Sequence, residues 1–181
     1  MKKTIIFMWL ILAFTYNLQA QDSVNNFSSE NNKIIWQKVF ETNLDFNQLT
    51  DKIKESGILE KIEIGENKIL GQSKPIEADF KGAGYSEMST PMYIARSFFD
   101  GFVMIEFKDG KYRVTFKNIM LTQKYNDGLS KEGEKTTIET FGLKSGKNEF
   151  KGAFTKSPSK ILNYTFTKSF DFKSLDKNDN W

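Results

Sequence analysis

Two long runs of alternating apolar and polar residues flank a single tight turn in the middle of the chain. The runs cover 98–107 and 111–121, and the Asp109-Gly110 pair between them accepts the positive φ angles of a two-residue hairpin loop. The alternating apolar residues at the start of the second run are Tyr112, Val114 and Phe116. The pattern predicts a long β-hairpin with one buried face and one face in water.

The residues before the hairpin predict a strand, a helix and two further strands. Residues 34–40 are rich in β-branched and aromatic side chains, and a helix is expected from an N-cap at Asn43 to Gly57. Alternation returns over 58–64 and continues after a turn over 69–73, until Pro75 ends the pairing. The apolar face of the first strand is expected to carry Ile34, Trp36 and Phe40.

These elements predict an α+β fold. We expect an antiparallel β-sheet with a helix after the first strand, in the order β-α-β-β-β-β, and a C-terminal element packed on the sheet. Residues 136–141 and 148–154 are interpreted as further strands, whereas 161–175 fits either a strand or a terminal helix. The expected domain covers 33–172, followed by a charged tail over 173–181.

The first twenty residues are typical of a cleavable secretory signal peptide. Lys2 and Lys3 precede an uncharged apolar run, and a small residue, Ala20, closes the segment. We therefore expect cleavage between Ala20 and Gln21, a periplasmic or secreted protein, and no transmembrane anchor after cleavage. Cleavage would remove two lysines and no acid, so the formal charge would fall from +3 to +1. Residues 21–32 are polar and predict a flexible leader.

The composition excludes several classes of chemistry. The chain has no cysteine and no histidine. It therefore has no thiol nucleophile, no imidazole base, no Ser-His-Asp triad and no zinc or copper site with His or Cys ligands. A near-neutral mature charge without a basic stripe also speaks against a nucleic-acid partner. No cofactor is implied, and we expect the protein not to be an enzyme.

Two short motifs resemble catalytic signatures but do not meet their requirements. Residues 142–147 have one residue too few between the glycines for a phosphate-binding loop and lack the Ser or Thr after the Lys. Ser157 and Lys160 have the spacing of a serine nucleophile and its lysine base, which requires a helix. Pro158 is expected to fit poorly in that helix. We interpret both motifs as coincidence.

The longest irregular stretch of the first half, 81–97, is the candidate for a binding site. Long loops in compact domains are uncommon and often functional. Tyr85, Tyr93 and Arg96 are the candidate ligand-binding residues of this stretch. The preferred structural alternative is a strand extension with a disordered tip.

Part of the chain resembles a family of small exported bacterial proteins of unknown function. The resemblance rests on the 36–40 strand, the 43–56 helix and the Gly110–Phe116 segment, and it covers 33–121. It implies a TATA-binding-protein-like fold, and it implies no activity, cofactor or site residue. A role on DNA does not follow from the name of the fold.

The sequence thus favours a non-catalytic binding or interaction module of the bacterial cell envelope. Its partner would be an envelope protein or a small ligand. One alternative is a hydrolase of envelope glycans that uses two carboxylates, although no pair is singled out by spacing. A second alternative is a helix-grip carrier that holds a hydrophobic ligand between the sheet and the last helix.

Overall fold

The computed structural model describes residues 23–128 and 130–173, and it confirms an α+β fold. Within these residues the strands are β1 (Phe27–Glu30), β2 (Lys33–Glu41), β3 (Leu59–Ile64), β4 (Lys68–Ser73), β5 (Ile76–Glu77), β6 (Ser97–Lys108), β7 (Lys111–Gln123) and β8 (Lys135–Thr137). The α-helices are α1 (Phe46–Ser56), α2 (Met92–Ala95), α3 (Ile138–Gly142) and α4 (Ser157–Ser169), and a short 3₁₀-helix spans Glu87–Ser89.

The strands form one antiparallel sheet whose centre is the predicted hairpin. The order is β1-β2-β7-β6-β4-β3, with β5 paired to the start of β6 and β8 paired to the end of β7. Asp109 and Gly110 form the turn with φ angles of 50° and 71°, as predicted. The hairpin therefore supplies the two longest strands and the middle of the sheet.

One face of the sheet is covered by helices, and aromatic side chains fill the space between them. Phe166 of α4 meets Phe116 of β7 edge-to-face at a centroid distance of 4.9 Å and Trp36 of β2 at 5.6 Å. The buried residues Leu49 and Ile53 of α1 belong to the same apolar core. The predicted inward face of Ile34, Trp36 and Phe40 is confirmed.

A bulge in the central hairpin changes which residues of β7 point at the helices. Asp100 pairs with Met120 but Phe102 pairs with Lys117, so β7 carries one residue more than β6 at this point. Asn118 takes up the difference with a φ of 53°. The buried positions of β7 shift from 112, 114 and 116 to Ile119 and Leu121. Because of this shift, Ile119 and Leu121 lie on the helix-covered face, as Tyr112, Val114 and Phe116 do in the first part of the strand.

Helix α1 begins two residues later than the sequence suggested. The N-cap is Asp45, not Asn43: Asp45 accepts from the Gln48 N–H, and the Gln48 side chain accepts from the Asp45 N–H. This reciprocal pair of hydrogen bonds explains the correction. Gly57 ends the helix with a φ of 61°, as expected.

The prediction of a flexible leader over 21–32 was wrong for its second half, which forms β1. Phe27 is fully buried and meets Phe154 at a centroid distance of 5.4 Å. The polar character of this segment comes from asparagines that adopt positive φ angles in two turns, namely Asn25, Asn26, Asn31 and Asn32. The predicted signal peptide and cleavage site, and the tail beyond residue 173, lie outside the described residues.

The second half of the chain contains more helix and less strand than expected. Only the first part of 136–141 is strand, and α3 follows it; 148–154 forms turns, with a single bridge between Leu143 and Phe150. The C-terminal element is helix α4, and Phe170 and Phe172 beyond it are buried. The objection to Pro158 in a helix was wrong because Pro158 lies in the first turn, where no backbone N–H is needed.

Candidate functional site

The irregular stretch 81–97 is a compact connection and not the expected strand extension. The Thr90 hydroxyl donates to the carbonyl of Ser86 at 2.8 Å, which closes the turn around the 3₁₀-helix. Helix α2 follows and anchors the segment through Ile94, which is fully buried. The stretch therefore holds α2 against the sheet at the point where β6 begins.

A cleft of about 250 Å³ opens beside α2 on the helix-covered side of the sheet. Its walls are α2, the end of β7, the 124–134 connection, β8 and α3. The bulge at Asn118 brings Leu121 and Gln123 to its floor. The charged, amide and aromatic side chains that line it are Tyr93, Arg96, Gln123, Asp127, Glu134 and Phe141.

An ion pair lies along one side of the cleft. Arg96 Nη1 donates to Asp127 Oδ2 at 3.1 Å, and Gln123 Nε2 donates to the same oxygen at 3.1 Å. The other carboxylate oxygen, Oδ1, accepts from the Ser130 N–H at 2.8 Å. The Asp127 side chain is only 17% exposed, whereas that of Arg96 is 38% exposed. Asp127 is therefore fixed in place and in turn fixes the guanidinium of Arg96.

An aromatic pair also lines the cleft. The rings of Tyr93 and Phe141 stack with centroids 4.2 Å apart and planes inclined by 4°. Burial raises the pKa of the Tyr93 hydroxyl above its ordinary value, so this group stays neutral at physiological pH. Among the described residues the Tyr93 hydroxyl has no hydrogen-bond partner, so it remains a donor for a ligand.

The structure brings together two of the three predicted site residues. Tyr93 and Arg96 both line the cleft, whereas Tyr85 does not; it is half-buried against the core, and its N–H donates to the Phe80 carbonyl at 2.8 Å. Asp127 and Phe141 were not among the predicted site residues, and Phe141 was interpreted as part of a strand.

The two carboxylates of the cleft have structural explanations. Asp127 accepts the hydrogen bonds described above, and Glu134 Oε2 accepts from the Lys131 N–H at 3.0 Å. Both therefore bind backbone groups of their own connection. Over residues 23–128 and 130–173 no group of three or more carboxylates is placed to hold a metal ion. Within the same ranges no helix is long and apolar enough to cross a membrane.

The fold is similar to that of two solved bacterial proteins. A TBP-like protein from Parabacteroides distasonis matches with a TM-score of 0.50 at 15% identity, over 80% of this chain and 95% of that one. A DUF4468 family protein from Bacteroides ovatus matches with a TM-score of 0.44 at 16% identity, over 88% of this chain and 91% of that one. The first similarity confirms the predicted TATA-binding-protein-like fold. No family model and no curated protein matches the chain.

Proposed function

We propose that this chain is an exported, non-catalytic binding module of the bacterial cell envelope and that the cleft beside α2 is its ligand site. Two features support the proposed export to the bacterial cell envelope. The first twenty residues have the pattern of a signal peptide. The protein of similar fold comes from Parabacteroides distasonis, a bacterium.

The observation that carries the ligand site is the convergence of four side chains from three separate parts of the chain. The stacked rings of Tyr93 and Phe141 and the paired charges of Arg96 and Asp127 line one partly enclosed space. An apolar wall with a few fixed polar groups is the usual composition of small-molecule sites. The volume of about 250 Å³ is below the usual range for drug-sized ligands, so the ligand is expected to be one small unit.

The two alternatives have less support in the geometry. A glycoside hydrolase of the expected kind needs two available carboxyl groups in one cleft. Asp127 is bound to Arg96 and two further donors, which leaves Glu134 as the one available carboxyl group among the lining residues. A helix-grip carrier needs an apolar cavity between the sheet and the last helix, but the rings of Trp36, Phe116 and Phe166 fill that space.

The ligand site is tested by thermal shift of the purified protein against peptidoglycan fragments, envelope glycans, amino acids and lipid extracts. A ligand that binds only the native state raises the melting temperature in a saturable way. We expect one class to do so, and we expect Tyr93→Ala to abolish the shift. Tyr164→Ala is the control, because Tyr164 is 39% exposed on α4 and does not line the cleft.

Two results of this experiment would contradict the ligand site. A saturable shift that survives Tyr93→Ala would place the ligand elsewhere on the surface and overturn the assignment of the cleft. Absence of any shift across the panel would count against a small-molecule site altogether.

Export is tested independently by the mass of the protein recovered from the envelope fraction. That mass should correspond to a chain that begins at Gln21, and a protein of full length in the cytoplasm would contradict export.

A further inference from the structure

We infer that the cleft, taken as the ligand site proposed above, recognises a small zwitterion: an amino acid or peptide end with an apolar side chain. Its carboxylate would bind Arg96, its ammonium group would lie near Glu134, and its side chain would pack on the rings of Tyr93 and Phe141. This inference rests on the proposed function and adds the chemical class of the ligand.

Arg96 is held in a way that leaves most of its donors available. Only Nη1 donates to a protein group, the Asp127 carboxylate, and the side chain is 38% exposed. Within the described residues Nε and Nη2 have no protein acceptor. A planar guanidinium offers a fork of N–H groups that matches a carboxylate in a bidentate manner. Because Asp127 already orients this fork, a ligand carboxylate would bind it with little loss of side-chain entropy.

The charges in the cleft favour a zwitterion over a simple anion. Arg96 is the single cation of the lining residues, whereas Asp127 and Glu134 are both acidic. Asp127 is neutralised by Arg96, so Glu134 leaves an uncompensated negative charge. One oxygen of Glu134 accepts from the Lys131 N–H, and the other has no partner in the part of the chain that the structure describes. A ligand ammonium group would balance this charge, but a bare carboxylate would not.

The rings of Tyr93 and Phe141 would bind the third part of the ligand, its apolar side chain. The Tyr93–Phe141 stack offers an apolar surface to a side chain, and the free Tyr93 hydroxyl offers a donor at its edge. A ring face also attracts a nearby ammonium group. The space of about 250 Å³ accommodates one amino acid more readily than a long chain.

The inference is tested by isothermal titration calorimetry on the purified protein with matched probes. L-Phenylalanine carries all three groups, phenylacetate lacks the amine, and phenethylamine lacks the carboxylate. We expect phenylalanine to bind about tenfold or more tightly than either partial probe, because each loses one charge-assisted contact. Alanyl-phenylalanine distinguishes a peptide end from a free amino acid, and glucuronate represents an acidic sugar.

Three variants locate the binding. Arg96→Lys keeps the charge but loses the fork and is expected to weaken phenylalanine about tenfold, while leaving phenethylamine unchanged. Glu134→Gln is expected to weaken phenylalanine and phenethylamine but not phenylacetate. Arg113→Gln is the matched control, because Arg113 pairs with Glu106 on the other face of the sheet. Circular dichroism of each variant confirms that it is folded.

Three results would overturn the inference. Binding of glucuronate in the cleft without binding of phenylalanine would reject the zwitterion and leave the proposed ligand site standing. Equal affinity for phenylalanine in the wild-type protein and in Arg96→Lys would reject the bidentate contact between the ligand carboxylate and the Arg96 guanidinium. If none of these probes and no ligand of the thermal-shift panel binds the cleft, both the inference and the proposed site fail.

Discussion

The hydroxyl of Tyr112 donates to the carbonyl of Phe170 at 2.9 Å. The same oxygen accepts from the N–H of Phe172 at 3.1 Å, so one side chain of β7 satisfies two backbone groups that follow α4. All three residues are almost completely buried. The end of α4 is thus tied to the central hairpin by hydrogen bonds as well as by ring packing.

We expect Tyr112→Phe to lower the free energy of unfolding by about 1–3 kcal/mol, because it leaves a buried carbonyl and a buried N–H without a partner. The ring is retained, so packing changes little. Urea denaturation measures the effect. Tyr164→Phe, at an exposed position, should change stability by no more than about 0.5 kcal/mol. Equal effects of the two variants would contradict the role of the Tyr112 hydroxyl.

The parts of the fold that the sequence predicted are those specified by local patterns. The hairpin followed from regular alternation around Asp109-Gly110, and α1 followed from Leu49, Ile53 and the closing Gly57. Strand β1 was missed because Phe27 is its only large apolar residue and the asparagines around it resemble a disordered segment. A short edge strand carries too few side chains to show a period.

The candidate site was predicted only in part, for a physical reason. Tyr93 and Arg96 are close in sequence, and they were predicted because both lie in the long irregular stretch 81–97. Their partners, Phe141 and Asp127, lie further along the chain, and Arg96 and Asp127 are 31 positions apart. Contacts of that kind are set by strand order and by the bulge at Asn118. Neither feature can be read from a local pattern.

Gly142 is required because α3 approaches β2 closely. A Cβ at this position would lie 2.3 Å from Cδ1 of Ile34, which is fully buried. We expect Gly142→Ala to destabilise the protein by about 1–3 kcal/mol through overpacking. Gly152→Ala, where a Cβ would meet nothing within 4 Å, is the control and should be close to neutral.

The cause of the Gly142→Ala effect can be isolated by a double-mutant cycle. Ile34→Val removes the methyl group that the new Cβ would meet, at a cost of about 0.5–1.5 kcal/mol by itself. The double variant should therefore be more stable than the sum of the two single effects predicts. Strict additivity in urea denaturation would show that the clash is with another group.

Asp79 couples α4 to the segment after β5, and its protonation should reduce stability at low pH. Lys168 donates to its carboxylate at 2.8 Å, and the Gly82 N–H donates to the other oxygen at 2.8 Å. The bond from Lys168 and then that from Gly82 lower the pKa of Asp79 below its ordinary value of 3.8. Because the folded-state pKa is depressed, this stabilisation is complete above pH 3.8 and is lost as the pH falls toward the folded-state value.

We therefore expect Asp79→Asn to flatten the loss of stability below about pH 4, measured by urea denaturation at a series of pH values. The effect should shrink when the substitution is made in a Lys168→Gln background, because the largest cause of the shift is then absent. An unchanged acid dependence in Asp79→Asn would mean that other carboxyl groups control stability in this range.

Tyr93 gives the cleft a signature at alkaline pH. Burial raises the pKa of its hydroxyl above the ordinary value of 10.0. The folded state thus favours the neutral form, and the associated stability is present below pH 10.0 and is lost as the pH rises from there toward the folded-state pKa. We expect Tyr93→Phe to reduce the fall in melting temperature between about pH 10 and about pH 11. Part of the fall should remain, because burial also raises the pKa of Tyr112.

A ligand seated on the Tyr93 ring should bury the hydroxyl further and shift its titration to still higher pH. A Tyr93 titration that is unchanged by a saturating ligand would place that ligand outside the cleft.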